Sequence, residues 1–133
     1  LELIADTFLS AGTPVMNALS FLLAQESAFV DSLLGRMRKN YSIYHSVLEA
    51  PGSPHRVLAC QGGWTALIES PALLEEERIA ALLLQQKGIA AQPGFFFDIE
   101  RGVHFAFSLI IHPQWAREWS MEYRELFDAL QAQ

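Results

Sequence analysis

One stretch limits what this chain can fold into: Lys87-Gly88-Ile89-Ala90-Ala91-Gln92, then Pro93-Gly94-Phe95-Phe96-Phe97-Asp98, then Val103-His104-Phe105-Ala106-Phe107-Ser108-Leu109-Ile110-Ile111. Gly88 most easily takes the left-handed conformation of a helix stop, so a helix is expected to end there and a short strand to lead into the Pro93-Gly94 turn. Phe95, Phe96 and Phe97 in a row cannot alternate between one core and water, so at least one ring is expected to face something other than this core. In the strand that follows, side chains alternate, which puts Val103, Phe105, Phe107 and Leu109 on a core face and His104, Ala106, Ser108 and Ile110 on the other. That second face is too small to anchor a core. It suits the approach of a ligand or another domain, or simply faces water.

A length of 133 residues fits one domain that buries its core without metal or disulfide staples. Cys60 is the only cysteine, which excludes an internal disulfide and points to a reducing, cytoplasmic setting; its plain role is that of a small buried residue. A net charge of −6 argues against a nucleic-acid footprint, and no apolar run reaches the roughly 20 residues of a membrane span. The opening Leu1-Glu2-Leu3-Ile4 has neither an initiator Met nor a leader pattern, and 51% apolar against 18% charged residues is rich for a free-standing small domain. The chain therefore reads as a module of a larger protein.

In chain order, Leu1 to Phe8 has the spacing of a helix tail, and Thr13 with Pro14 is expected to cap and restart a helix through Leu23. From about Ser27 to Ala50, Val30, Leu33, Leu34, Met37, Tyr41, Tyr44 and Leu48 recur at steps of three and four, one long helix that Pro51-Gly52-Ser53-Pro54 must end. Arg56–Cys60 and Trp64–Ile68 are β-favouring runs about Gln61-Gly62-Gly63, so a hairpin or bulged turn is expected. Glu75-Glu76-Glu77 opens the next helix as a complement to its dipole, and that helix crosses over to the central stretch in the manner of a βαβ unit. Pro113 starts a last helix with Trp115, Trp119, Tyr123, Leu126, Phe127 and Leu130 as its apolar stripe. The expected fold is α/β, a two-layer sandwich with a small mixed sheet of about four strands backed by helices.

No metal motif appears, since His45, His55, His104 and His112 lack the close pairing of zinc sites, and there is neither a nucleophile elbow nor a phosphate loop. From the residues alone, then, the chain offers an α/β domain with a small, polar sheet face beside an aromatic turn.

Ile4 to Val15, then Gly62-Gly63-Trp64, then Gly88-Ile89 and Gln92-Pro93-Gly94-Phe95-Phe96-Phe97-Asp98, in that order, resemble the C-terminal small domain of class I/II pyridoxal-phosphate-dependent aminotransferases of fold type I. The resemblance runs over essentially the whole chain. It implies a domain that closes over pyridoxal phosphate and amino-acid or 2-oxo-acid substrates held by a large domain of the same polypeptide, within a homodimer. It also implies that Gly63, Trp64, Pro93, Gly94, Phe95, His104, Ala106 and Ser108 lie on the substrate side, and that no catalytic residue is in this chain.

Two departures accompany it. Neither Lys39 nor Lys87 sits in a motif matching the Schiff-base lysine, and Phe105-Ala106-Phe107-Ser108 has alanine where the family's pattern has its substrate arginine. Alanine cannot form the bidentate pair of a guanidinium with a carboxylate, which leaves His104 or an arginine of the large domain for that task. Packing at a domain seam is the plainer role for His104. The alternatives from other classes are an aminotransferase-like effector domain of a transcriptional regulator and an interaction module without cofactor.

Overall fold

A computed structural model describes residues 12–132, so the expected helix tail over Leu1 to Phe8 lies outside the described residues. The chain divides into two compact units, Leu1–Leu33 and Leu34–Gln133. Helix α1 (Thr13–Ala24) begins one residue earlier than its proline suggests: the cap is Gly12, which makes no side-chain bond, and Pro14 occupies the first turn. None of its residues is buried.

Helix α2 spans Glu26–Leu48, and the stretch ahead of Pro51-Gly52 ends it as expected. Its inner face in the second unit carries Asn40, Ile43, Tyr44 and Leu48. Strands β1 (Arg56–Val57) and β2 (Thr65–Ser70) form the expected hairpin, although β1 is only two residues long before the chain bends away. Helix α3 (Glu76–Leu82) runs into a π-helical turn over Leu83–Lys87 and stops at Gly88, which takes the left-handed conformation (φ 67°). Strand β3 (Gln92–Pro93), a 3₁₀ turn (Gly94–Phe97), strand β4 (Val103–Ser108) and helix α4 (Pro113–Gln131) complete the order.

The sheet order is β1-β2-β4-β3, and every pair is antiparallel. The expectation of a mixed sheet is therefore corrected. The expected crossover is present, since β2 and β3 both run opposite to β4 and hence in the same direction as each other. However, β4 inserts between them, so no parallel ladder forms; this is a split βαβ arrangement.

The core sits on the face of β4 that carries Val103, Phe105 and Phe107, as the alternation implies. Ala66 and Ile68 lie opposite Phe107 and Phe105 and extend that face onto β2. Tyr123 of α4 packs edge-on against both phenylalanines, at ring separations of 5.7 and 5.1 Å, and Tyr44 of α2 packs on Phe107 at 5.5 Å. Fully burying a ring such as Phe105 contributes roughly 1.5–3 kcal/mol. On α4 the buried stripe is Ala116, Ser120, Tyr123, Leu126 and Phe127, which leaves Trp115 about half exposed and stacked on Trp119. Trp119 and Leu130 pack at the edge of the core as expected, and Trp115 alone of the expected stripe lies off it, while the small residues Ala116 and Ser120 allow the helix to approach the sheet.

Strand β4 ends at Ser108, short of the Ile111 expected from its apolar residues, because helix α2 takes over its carbonyls. Tyr44 Oη donates to Ser108 O (2.7 Å), and Asn40 Nδ2 donates to Leu109 O (2.9 Å) and Ile111 O (2.8 Å). Burial raises the Tyr44 phenol, so it stays a donor throughout the accessible pH range.

A second polar group lies under α4. His55 Nδ1 is 2.9 Å from Ser70 Oγ, which is 2.6 Å from the buried Tyr123 Oη, while Phe127 meets the imidazole edge-on at 4.8 Å. Desolvation there lowers the His55 pKa from its ordinary 6.5 to about 4. The fold thus favours neutral His55, and its contribution is whole above pH 6.5 and lost as pH falls from 6.5 through about 4. Between neutral pH and about pH 4 the stability measured by urea unfolding is expected to drop by up to about 3 kcal/mol from this group, and His55→Phe is expected to remove that part of the drop.

Candidate functional site

Helix α3 sends one carboxylate into the sheet. Glu75 and Glu77 are exposed, but Glu76 is buried, and its two oxygens accept from His104 N (2.7 Å) and Phe95 N (3.0 Å). Glu76 therefore ties the start of α3 to β4 and to the first aromatic residue of the turn. The acid run was read only as a complement to the helix dipole. The missed signal was its phase, because Glu76, Ile79 and Leu83 follow one another at steps of three and four, so Glu76 falls on the buried stripe.

Gly94 is what allows this approach. A Cβ built there would stand 2.7 Å from His104 Cβ and 3.1 Å from Glu76 Oε1. The demand is for space, since Gly94 is not among the glycines with positive φ. Beyond it the backbone makes one 3₁₀ turn and leaves at Asp98 with φ 57°. Held at the Phe95 amide, the turn presents Phe95, Phe96 and Phe97 outward at 41%, 64% and 49% exposure, with the first two rings in edge contact at 4.7 Å. The expectation that at least one of these rings lies outside the core is met by all three.

The other proposed substrate-side residues are placed unevenly. Trp64 is 67% exposed, just after Gly63, which has φ 83° and makes the turn into β2. Pro93 and Gly94 are buried between the turn and β4. His104 and Ala106 are also buried, while Ser108 is half-buried. The His104 ring lies against Gly102, where a Cβ would come within 2.9 Å of Cε1, and its Nδ1 is buried without a partner. Across the strand Ala106 faces Leu67 on one side and Gln92 on the other. Ala106 and Ser108, but not His104, line a cavity of about 280 Å³ shared with Trp64, Thr65, Gln92 and Trp119.

No cluster of metal-binding side chains occurs among the described residues, and no helix among them is long and apolar enough to cross a membrane. Cys60 is partly exposed rather than buried, with Sγ 3.1 Å from Gly62 O. No known family model and no curated protein matches this chain.

Glu76→Ala would leave two backbone donors without their acceptor, and its expected cost is about 3 kcal/mol in urea unfolding. The specific sign is faster hydrogen exchange at the Phe95 and His104 amides, with amides of α4 changing much less. A uniform increase across the sheet would contradict the local role assigned to this carboxylate.

Proposed function

We propose that the chain is the closing domain of a pyridoxal-phosphate-dependent aminotransferase of fold type I, and that the turn Gly94–Phe97 and the Trp64–Ser108 end of the sheet face the cofactor-bearing domain. One observation carries the proposal: three consecutive aromatic side chains stand exposed on a turn whose backbone is fixed by the buried Glu76 carboxylate. A turn held this firmly, with its apolar side outward, is built to be covered. The split βαβ connection, the Gly63-Trp64 turn and the left-handed stop at Gly88 agree with the element order that the resemblance implies.

The described residues are not expected to hold pyridoxal phosphate by themselves. Lys39 is on the exposed side of α2, and Lys87 is held by Glu122 and by Glu125 (3.2 Å), which favour its charged form. A protonated, ion-paired amine is no nucleophile toward an aldehyde. No chemical step is therefore assigned to this chain. Its part is to cover, to exclude water and to shape the substrate side, with amino acids and 2-oxo acids as the substrates and a second copy of the enzyme as the partner in a dimer.

Ala106 favours a second reading. A buried alanine in the position of the family's substrate arginine removes a carboxylate clamp, which suits an aminotransferase-like effector domain of a transcriptional regulator. Transamination by a polypeptide that contains this domain separates the two.

Added pyridoxal phosphate is expected to give this chain no stoichiometric aldimine band that survives gel filtration. Such a band, abolished by Lys87→Ala or Lys39→Ala, would overturn the assignment of a purely covering role. In a transaminating polypeptide, Phe96→Ser is expected to lower kcat/KM by about tenfold or more while the aldimine spectrum persists.

A further inference from the structure

We propose that the cavity at the end of β4 is a binding site for a small uncharged molecule carrying both an aromatic ring and a carbonyl group. The cavity exists because the edge of the sheet parts. β3 pairs with β4 only at Gln92↔Ala106 and Pro93↔Phe105, and no pairing continues into the residues before Gln92.

The parting leaves one backbone donor of β4 without a ladder partner on that edge. In an antiparallel strand, alternate residues direct their N–H groups to opposite sides. Leu109 N–H donates to Trp64 O at 2.7 Å, toward β2, so His104, Ala106 and Ser108 direct theirs toward the β3 edge. Glu76 takes the first of these, and the second lies opposite Gln92 in the ladder. The third, Ser108 N–H, lies beyond the last paired residue of β3, makes no main-chain bond outside the sheet ladder, and belongs to a residue that lines the cavity. The carbonyl on that residue is already occupied by Tyr44 Oη, so what the cavity offers is a donor. A ligand oxygen is the partner it lacks.

The rest of the lining defines the rest of the ligand. Trp64 and Trp119 supply aromatic surface, which favours a planar ring in offset or edge contact. Thr65, Gln92 and Ser108 are the polar side chains, and none of the lining residues is charged. A carboxylate or an ammonium would lose water there without gaining a counter-ion, whereas an amide carbonyl accepts from Ser108 N–H at little cost. At about 280 Å³ the cavity is at the small end of ligand sites, which suits a single ring with a short amide arm. The cavity shares Trp64 and Ser108 with the face proposed above to be covered, so the site is assigned to the chain with that face uncovered, and its test uses this chain alone.

The test is a titration of the full chain with phenylacetamide, followed by the amide resonance of Ser108 and the indole N–H resonances of Trp64 and Trp119. All three are expected to shift along one saturable curve. Phenylacetate, with its charge, and cyclohexylacetamide, without a ring, are each expected to bind about tenfold more weakly or worse. Trp64→Ala, at a side chain 67% exposed and outside the core, is expected to weaken phenylacetamide by roughly three- to tenfold without loss of fold. Absence of a saturable Ser108 shift up to the solubility limit of phenylacetamide would overturn the proposal, as would phenylacetate binding as tightly as the amide. Neither result bears on the spectrum with pyridoxal phosphate, so the two proposals fail separately.

Discussion

The Glu76 carboxylate is the constraint on which the outer part of this structure depends. A buried carboxylate is costly unless its lone pairs are filled, and here two main-chain N–H groups fill them, at His104 and Phe95. Those two amides belong to different segments, so one side chain sets both the depth at which α3 meets the sheet and the direction in which the aromatic turn leaves it. Gly94 follows from this. With any larger residue there, either the carboxylate or His104 would have to move.

Strand β4 is where these demands meet, and it is buried on both faces for most of its length. One face is filled by packing, with Phe105 and Phe107 against Tyr123 and Tyr44. The other is closed by compactness, since Gly94 and Gly102 lie directly on His104. Its polar backbone is partitioned among unlike partners: β2 along one edge, a carboxylate and a two-residue strand along the other, and the side chains of Asn40 and Tyr44 at the far end. A central strand with so many different partners has little freedom to slip in register.

Much of the fold was legible in the sequence because its punctuation is chemical. Pro51-Gly52, Gly88, Pro93-Gly94 and Pro113 act locally, through fixed or unusual dihedral angles, and the elements they bound were placed to within a few residues. The alternation along β4 likewise showed the core face. What did not show was decided by tertiary partners. Strand direction depended on β4 entering between β2 and β3, a choice that no short window contains. The buried side of α4 also includes Ala116 and Ser120, whose small size rather than bulk sets the approach to the sheet. Of the candidate site, the outward aromatic turn could be read from three phenylalanines in succession. The carboxylate that anchors it was hidden among three glutamates, and the burial of His104 depends on two glycines that precede it in the chain, Gly94 and Gly102.

The strand order has a consequence for how the protein is made. Among the described residues β4, with β2 one of two strands that have two neighbours, is the last of the four in the chain, and β3 pairs with it alone. As the polypeptide emerges during synthesis, the β1–β2 hairpin can close early, while β3 and the exposed edge of β2 must wait until residues 103–108 arrive. Pairings such as Thr65↔Ser108 then close over more than forty residues at once, a late, non-local step of the kind that slows folding and leaves strand edges exposed in the interval. A nascent chain halted anywhere before Ser108 would carry an open sheet that invites pairing with its neighbours, and the pressure for swift completion therefore falls on the segment between the aromatic turn and α4.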